Sequence, residues 1–344
     1  MVCRLSKYGL KPCGNLIKVS DQEKRLPCEV GIKYESGKWW RLIYDYMLSR
    51  PEDYLSIYQS CCNHNCIFCH SWSFSQYPVG LWYSDNDIVE ICSIYYEMVT
   101  LREPKERTTM WHATSHCKHC GACVELGIRG DYCPNVLKPS QVILSPQGYG
   151  PARNIVSFTG GDMYCCYEFY VECFKSIKRE FGDDLWIHIE TNGYGLVPKV
   201  LEELVQAGLD SVWLDMKAYS KEIYHKLCGT DNEHILELPA RIIDEGLTLE
   251  VVLLYIPELV GLNEISKFGE LLSSVDKDIP IMLLAFFPEY KLRNLRPPAL
   301  NEMVKAYEIL RSYGLRRVKL GNVHVFCSHD ELKELVKKYG LEVF

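Results

Sequence analysis

The sequence predicts an α/β protein, a partial (β/α)6 TIM-like barrel carrying a small cysteine-rich insert. Three observations carry that reading. From residue 154 onward short apolar runs alternate with amphipathic segments, the pattern of parallel strands joined by right-handed crossovers. Polar motifs rich in Gly, Asp, Asn and Lys follow directly on several of these runs, where parallel α/β folds place their sites. Seventeen cysteines in 344 residues, several at short spacings, mark metal chemistry added to that frame.

The length suits one large α/β domain with insertions. A composition of 47% hydrophobic and 24% charged residues excludes long disorder. The net charge of −7 argues against a dominant nucleic-acid surface, which needs a basic surplus. An odd cysteine count and a start, Met1 to Lys7, without the apolar run of a signal peptide point to a reducing, cytoplasmic setting. The most apolar segment, Leu249 to Leu262, is broken by Glu250, Pro257 and Glu258 and is too short to span a bilayer.

Residues 1–54 read as an N-terminal leader with a tryptophan-rich, hairpin-like stretch from Tyr34 to Tyr46. Its Cys3, Cys13 and Cys28 could hold a further metal, but are read as buried thiols. Residues 55–102 start the barrel: Leu55–Tyr58 is a strand, and Ser84-Asp85-Asn86-Asp87 caps a helix running to about Met98. Residues 103–152 form the insert, and 153–344 the rest of the barrel. There the strands are Ile155–Thr159, Leu185–Ile189, Val212–Leu214, Thr248–Ile256 and Ile279–Phe287, with Arg317–Leu320 last. Helices fall at Tyr167–Phe181, across Val197–Val205, twice within 221–245, and at Asn263–Val275, Ala299–Tyr313 and Ser328–Tyr339.

After the first strand comes Cys62-x3-Cys66-x2-Cys69. Three thiolates at this spacing grip one face of an iron–sulfur cluster and leave one iron open, because no fourth cysteine follows at ferredoxin spacing. Structural zinc is the rival reading. In the insert, Cys117-x2-Cys120-x2-Cys123 followed by Cys133-Pro134 is a ferredoxin-type set able to close a second [4Fe–4S] cluster, with electron relay as its expected role. A zinc knuckle using His112, His116 or His119 is the alternative.

The Cys62–Cys69 motif, with aromatic Phe68 before its last cysteine, resembles the radical S-adenosylmethionine (SAM) superfamily signature. Gly160-Gly161-Asp162 matches the place where that family contacts the SAM amino group. Glu190-Thr191-Asn192-Gly193 and Asp215-Met216-Lys217 resemble the next two strand ends of the pyruvate formate-lyase activase branch, with Glu190 replacing the more usual Asp. Asp215 and Lys217 also read as a structural ion pair. Tyr224 to Gly229, Pro288 to Leu292 and Gly321-Asn322-Val323 look like the AmmeMemoRadiSam radical SAM group. The resemblance implies catalytic Cys62, Cys66 and Cys69, and SAM contacts from Phe68, Gly160, Gly161, Asp162, Glu190, Asn192, Asp215 and Lys217. It implies reductive cleavage of SAM to a 5′-deoxyadenosyl radical for hydrogen abstraction, a low-potential donor such as ferredoxin or flavodoxin, and a glycyl-radical enzyme as protein substrate. A tRNA- or small-molecule-modifying enzyme like the wybutosine synthases, and a non-catalytic iron–sulfur carrier, are the alternatives.

Overall fold

The structure, a computed structural model, describes residues 3–344. A ten-stranded sheet organises the chain. Its strands are β1 (Ile32–Glu35), β2 (Lys38–Leu48), β3 (Leu55–Gln59), β4 (Leu81–Tyr83), β5 (Ile155–Gly160), β6 (Trp186–Thr191), β7 (Ser211–Met216), β8 (Thr248–Tyr255), β9 (Ile281–Ala285) and β10 (Val318–Gly321). The order is β10-β9-β8-β7-β6-β5-β3-β2-β1, with β4 paired to β2. Neighbours are parallel from β10 across to β3 and antiparallel beyond it. The fold class is the one expected, an α/β frame with a parallel-rich sheet. The parallel run is seven strands long and matches the seven segments read from Leu55 to Leu320, so a six-unit barrel undercounts it by one.

The tryptophan-rich stretch is the β1–β2 hairpin, turned at Ser36-Gly37, both in the left-handed region that a tight turn requires. The longer helices are α1 (Asp85–Tyr96), α2 (Met110–His116), α3 (Tyr167–Phe181), α4 (Pro198–Gln206), α5 (Lys221–Cys228), α6 (Leu238–Asp244), α7 (Leu262–Val275), α8 (Leu300–Ser312) and α9 (His329–Tyr339). Ser84 starts α1: its backbone N–H donates to Asp87 Oδ2 at 2.7 Å while its own Oγ accepts from Asp87 N.

Strand alternation divides the apolar residues into two cores. Ile57, Phe158, Ile189 and Leu214 face the helices and pack in the main core with Phe174, Leu201 and Leu204. Trp213, Val252 and Met282 face the other way and pack with Met110, Trp111 and Leu284. The insert's α2 therefore plugs the sheet's inner face. Ser211 Oγ donates to Thr108 O at 3.1 Å, Thr248 Oγ1 to Lys105 O at 3.0 Å, and Trp111 N to Glu250 Oε2 at 3.0 Å. These acceptors and donors stand at the N-terminal ends of β7 and β8. The plug thus closes the end of the sheet opposite the glycine and cysteine motifs. Buried Arg153 anchors it, donating to Thr109 O at 2.9 Å and Glu103 Oε1 at 3.2 Å. Among the described residues no helix is long and apolar enough to cross a membrane.

Candidate functional site

The loop after β3 is held by several elements at once. Cys61 N donates to Phe74 O, Asn63 N to Asp162 O, Asn65 N to Cys228 O and Ile67 N to Leu227 O, each at 3.0 Å, and Ile67 O accepts from Lys291 N at 3.0 Å. A backbone fixed on so many sides presents its side chains in one arrangement. Cys62 and Cys66 are buried and Cys69 half-buried. His64 N reaches Cys62 Sγ at 3.4 Å, Asn192 Nδ2 approaches the same sulfur at 3.8 Å, and Cys69 Sγ meets Ser75 Oγ at 3.3 Å. Burial lifts the Cys62 thiol well above its ordinary range and Cys69 to about 11; contact with Cys228, then burial, raises Cys66. Three desolvated thiols on one loop form a donor set for a thiophilic metal centre, since cationic metal supplies the charge their ionisation lacks.

The glycine turn lies directly against this loop. Gly161 N donates to Gln59 O at 2.7 Å, and a Cβ at Gly161 would stand 2.1 Å from Cys61 O, inside any tolerable contact. Gly160 adopts φ +85°. Gly161→Ala is expected to displace the cysteine loop, destabilise the chain by about 2–4 kcal/mol and lower its iron content. A denaturation midpoint and iron content unchanged from wild type would contradict this. Arg41, fully buried on β2, ties the two turns together: Nη2 donates to Gly161 O at 2.9 Å, and Nη1 to Gly31 O at 3.0 Å and Leu42 O at 3.1 Å.

Asp162 is engaged within the protein. Its carboxylate accepts from Asn63 Nδ2 at 3.2 Å, Tyr164 N at 3.3 Å, Asn192 N at 2.9 Å and the Thr191 hydroxyl. Asn192 Nδ2 closes the circuit to Asn63 Oδ1 at 2.7 Å. Asp215 and Lys217 form an ion pair, and Lys217 Nζ stands 5.6 Å from the buried Phe68 ring. Burial works against the Lys217 charge, but Asp215 outweighs it and holds the ammonium above its ordinary range.

Glu190 behaves differently. Alternation turns it into the interior, where it accepts from Tyr54 OH at 3.1 Å, Ser157 Oγ at 3.1 Å and Thr159 Oγ1 at 2.6 Å. Burial pushes its carboxyl from the usual 4.5 up to about 7, with Glu52 adding to the rise. The folded chain therefore holds this proton more tightly than the unfolded chain. That stabilisation is present below 4.5 and lost as pH climbs to about 7. Glu190→Gln is expected to leave stability near wild type at about pH 4 and raise it by on the order of 1–3 kcal/mol at about pH 8. Urea midpoints across that range check it, and equal midpoints at both ends would contradict it.

At the plug, Cys117, Cys120, Cys123 and Cys133 all line one cavity. A Cβ at Gly130 would stand 2.9 Å from Cys120 Sγ, His119 N donates to Cys117 Sγ at 3.3 Å, and Arg129 Nη1 lies 3.8 Å from Cys133 Sγ. The histidines of the zinc-knuckle alternative are engaged elsewhere. His112 Nδ1 pairs with Thr109 at 2.8 Å, His116 Nε2 with Glu103 at 2.6 Å, and His119 Nε2 with Asp53 at 3.0 Å. Sequence reasoning missed Arg41, Asn63, His64 and Cys228. The ligand atoms of His64, Cys66 and Cys228 gather within 4.8 Å, and His64 Nδ1 is buried without a partner. The only signal for Cys228 was its place in the Tyr224–Gly229 motif.

A model of the radical SAM superfamily matches residues 114–266. An uncharacterized protein of Methanocaldococcus jannaschii is 24% identical over 269 residues, covering 76% of this chain and 61% of that protein. The pyruvate formate-lyase 1-activating enzyme of Escherichia coli K12 is 26% identical over 177 residues, covering 46% of this chain and 68% of the enzyme. Among solved structures, Streptococcus suis SuiB bound to precursor peptide SuiA aligns at TM-score 0.54 and 13% identity, covering 83% of this chain and 52% of that one; the likeness is one of fold. The family match runs through the glycine turn and the strand ends that surround the cysteine loop, so this part of the chain is similar to the radical SAM superfamily, while the cysteine loop itself precedes the matched residues.

Proposed function

We propose that the chain is a radical SAM enzyme that activates a glycyl-radical enzyme by hydrogen abstraction. The supporting observation is convergence: the Cys62-Cys66-Cys69 loop, the Gly160-Gly161 turn, Asn192, Phe68 and the Asp215–Lys217 pair meet at the C-terminal ends of β3, β5, β6 and β7. Cys62, Cys66 and Cys69 would hold a [4Fe–4S] cluster, and three desolvated thiols on one fixed loop fit that group. When bound, cluster and SAM supply the one-electron chemistry, cleavage to methionine and a 5′-deoxyadenosyl radical.

The chain's own residues bind and orient. Gly160 and Gly161 let backbone approach the amino-acid end of SAM. Lys217, kept protonated by Asp215, meets its carboxylate. Phe68 offers a face to the adenine, and Asn192 bridges the cysteine loop and the ligand. Asp162 acts as a positioning residue through Asn63, Thr191 and Asn192, and Glu190 supports the interior behind the site. Buried Cys62, Cys66, Phe68, Asp162 and Asn192 line the part of the constellation that excludes water from a reactive radical.

Cys117, Cys120, Cys123 and Cys133 would hold a second [4Fe–4S] cluster, consistent with four thiols around one cavity. The plug stands at the N-terminal strand ends, and six residues of strand put it about 20 Å from the cysteine loop. At that separation we read the plug as fastening the fold, with electron relay as the second reading. Cys120→Ser is expected to remove about four irons per chain and lower stability while SAM cleavage per remaining cluster persists. Cleavage lost with stability unchanged would restore the relay reading.

The activase reading rests on similarity to the pyruvate formate-lyase 1-activating enzyme, with ferredoxin or flavodoxin as the donor class. Its test is to mix the reduced chain and SAM with a candidate glycyl-radical enzyme from the same organism and record the electron paramagnetic resonance spectrum. A glycine-centred radical in that protein is the expected result. 5′-Deoxyadenosine without any such radical would overturn the activase role and leave SAM cleavage standing.

A further inference from the structure

The leader contributes a third group of cysteines that the sequence scatters and the fold assembles. Cys3 meets Cys13 thiol to thiol, and Cys28 meets Cys166 in the same way. The two pairs face each other: Cys13 lies within electrostatic reach of Cys28 and Cys166, and Cys28 within reach of Cys3. Cys3 and Cys166 are buried, Cys13 and Cys28 half-buried. Arg4, paired with Glu168, directs its positive charge toward Cys166 and Cys165. A cavity of about 540 Å³ opens beside the group, lined by Arg4, Cys28, Trp39 and Cys166 among others.

The group lies at the same end of the sheet as the cysteine loop. Asn15 Nδ2, between Cys13 and Cys28 in the chain, donates to Cys62 O at 3.0 Å, and Tyr194 OH donates to Lys11 O at 2.8 Å. A Cβ at Gly31, three residues after Cys28, would stand 3.1 Å from Cys61 Cβ. Cys166 itself follows the Gly160-Gly161-Asp162 turn by only four residues.

We propose that Cys3, Cys13, Cys28 and Cys166 form a further four-thiolate metal site that takes an iron–sulfur cluster. An all-sulfur donor set selects iron–sulfur or zinc. Spacing separates the two. Four thiolates on one zinc ion, with Zn–S near 2.3 Å, stand about 3.8 Å apart. Among the described residues the donors gathered in threes within 4.8 Å are His64, Cys66 and Cys228, so the leader set is wider than zinc requires. Two contacting pairs that do not gather on one point leave room between them for a centre larger than a single ion. The guanidinium of Arg4 offsets the negative charge such a centre carries. Cys165 contacts Cys166 and lies within reach of Cys13 and Cys28, but Cys28 pairs with Cys166 and not with Cys165, so Cys165 is the internal control. The proposal rests on these residues and not on SAM turnover.

The test is metal and sulfide analysis of the full chain, isolated and reconstituted without oxygen. Cys28→Ser and Cys166→Ser are each expected to lose about four irons and four sulfides per chain, whereas Cys165→Ser keeps them. Iron content unchanged in both ligand variants would overturn the site. So would one zinc per chain lost in those variants, or recovery of the Cys3–Cys13 and Cys28–Cys166 pairs as disulfides. Should the variants fail to fold, the unaltered chain still decides: about twelve irons, with Cys66→Ala and Cys120→Ser each accounting for four, supports the site, and about eight overturns it.

Discussion

Replacing Cys66 by alanine is expected to reduce SAM cleavage to background and to remove about four irons per chain. The reason lies in how the loop is held. Asn65 and Ile67, on either side of Cys66, both bond to the end of α5, so the sulfur cannot be replaced by sliding the loop. Cys228 stands against Cys66 and, among the described residues, is the thiol outside the triad gathered with it. Its position on a helix whose carbonyls already fix the loop prevents it from moving to the vacated corner. Iron analysis and chromatography of the reaction products check this together. Retained 5′-deoxyadenosine formation in Cys66→Ala, and its loss only in the Cys66→Ala/Cys228→Ala pair, would mean that Cys228 is a ligand.

Arg41→Met is expected to destabilise the chain by about 3–5 kcal/mol. The guanidinium is fully buried and bonds Gly31 O, Leu42 O, Gly161 O and the Gln59 side chain, with Nε 3.2 Å from Gln59 Oε1. Methionine fills the volume but leaves several buried acceptors unpaired, at about 1–3 kcal/mol each before relaxation. Arg41→Lys should recover little of the loss, since a point-like ammonium cannot span acceptors arranged for a planar fork. Urea denaturation gives the answer directly. A loss below about 1 kcal/mol in Arg41→Met would mean that water replaces the guanidinium without cost.

The strands and their polar ends were legible because each motif directly follows an apolar run of strand length. Gly160-Gly161, Asn192 and Asp215-x-Lys217 could be placed on one edge before any contact was known. Three features were not legible, each for a physical reason. Arg41 sits in an aromatic hairpin, where period-two alternation gives no hint of acceptors 120 residues away. Glu190 and Thr191 are adjacent in a single motif, yet strand pleat sends Glu190 inward to Tyr54, Ser157 and Thr159 and Thr191 outward to Asp162. The role of residues 105–116 depends on polar groups of β7, β8 and β10, including Lys319 Nζ, which donates to Trp111 O at 2.8 Å. No local pattern in the insert announces that helix as a plug. The leader cysteines were opaque for the same reason: their fourth partner, Cys166, comes from the far side of the chain.

Three cysteines after the first parallel strand, set against a glycine turn, are proposed to support reductive SAM cleavage. The most direct measurement is to reconstitute the full chain anaerobically, reduce it with dithionite, add SAM and separate the products. 5′-Deoxyadenosine and methionine in equal amounts, absent in Cys62→Ala, are the expected products. S-adenosylhomocysteine in their place would identify methyl transfer and contradict the proposal.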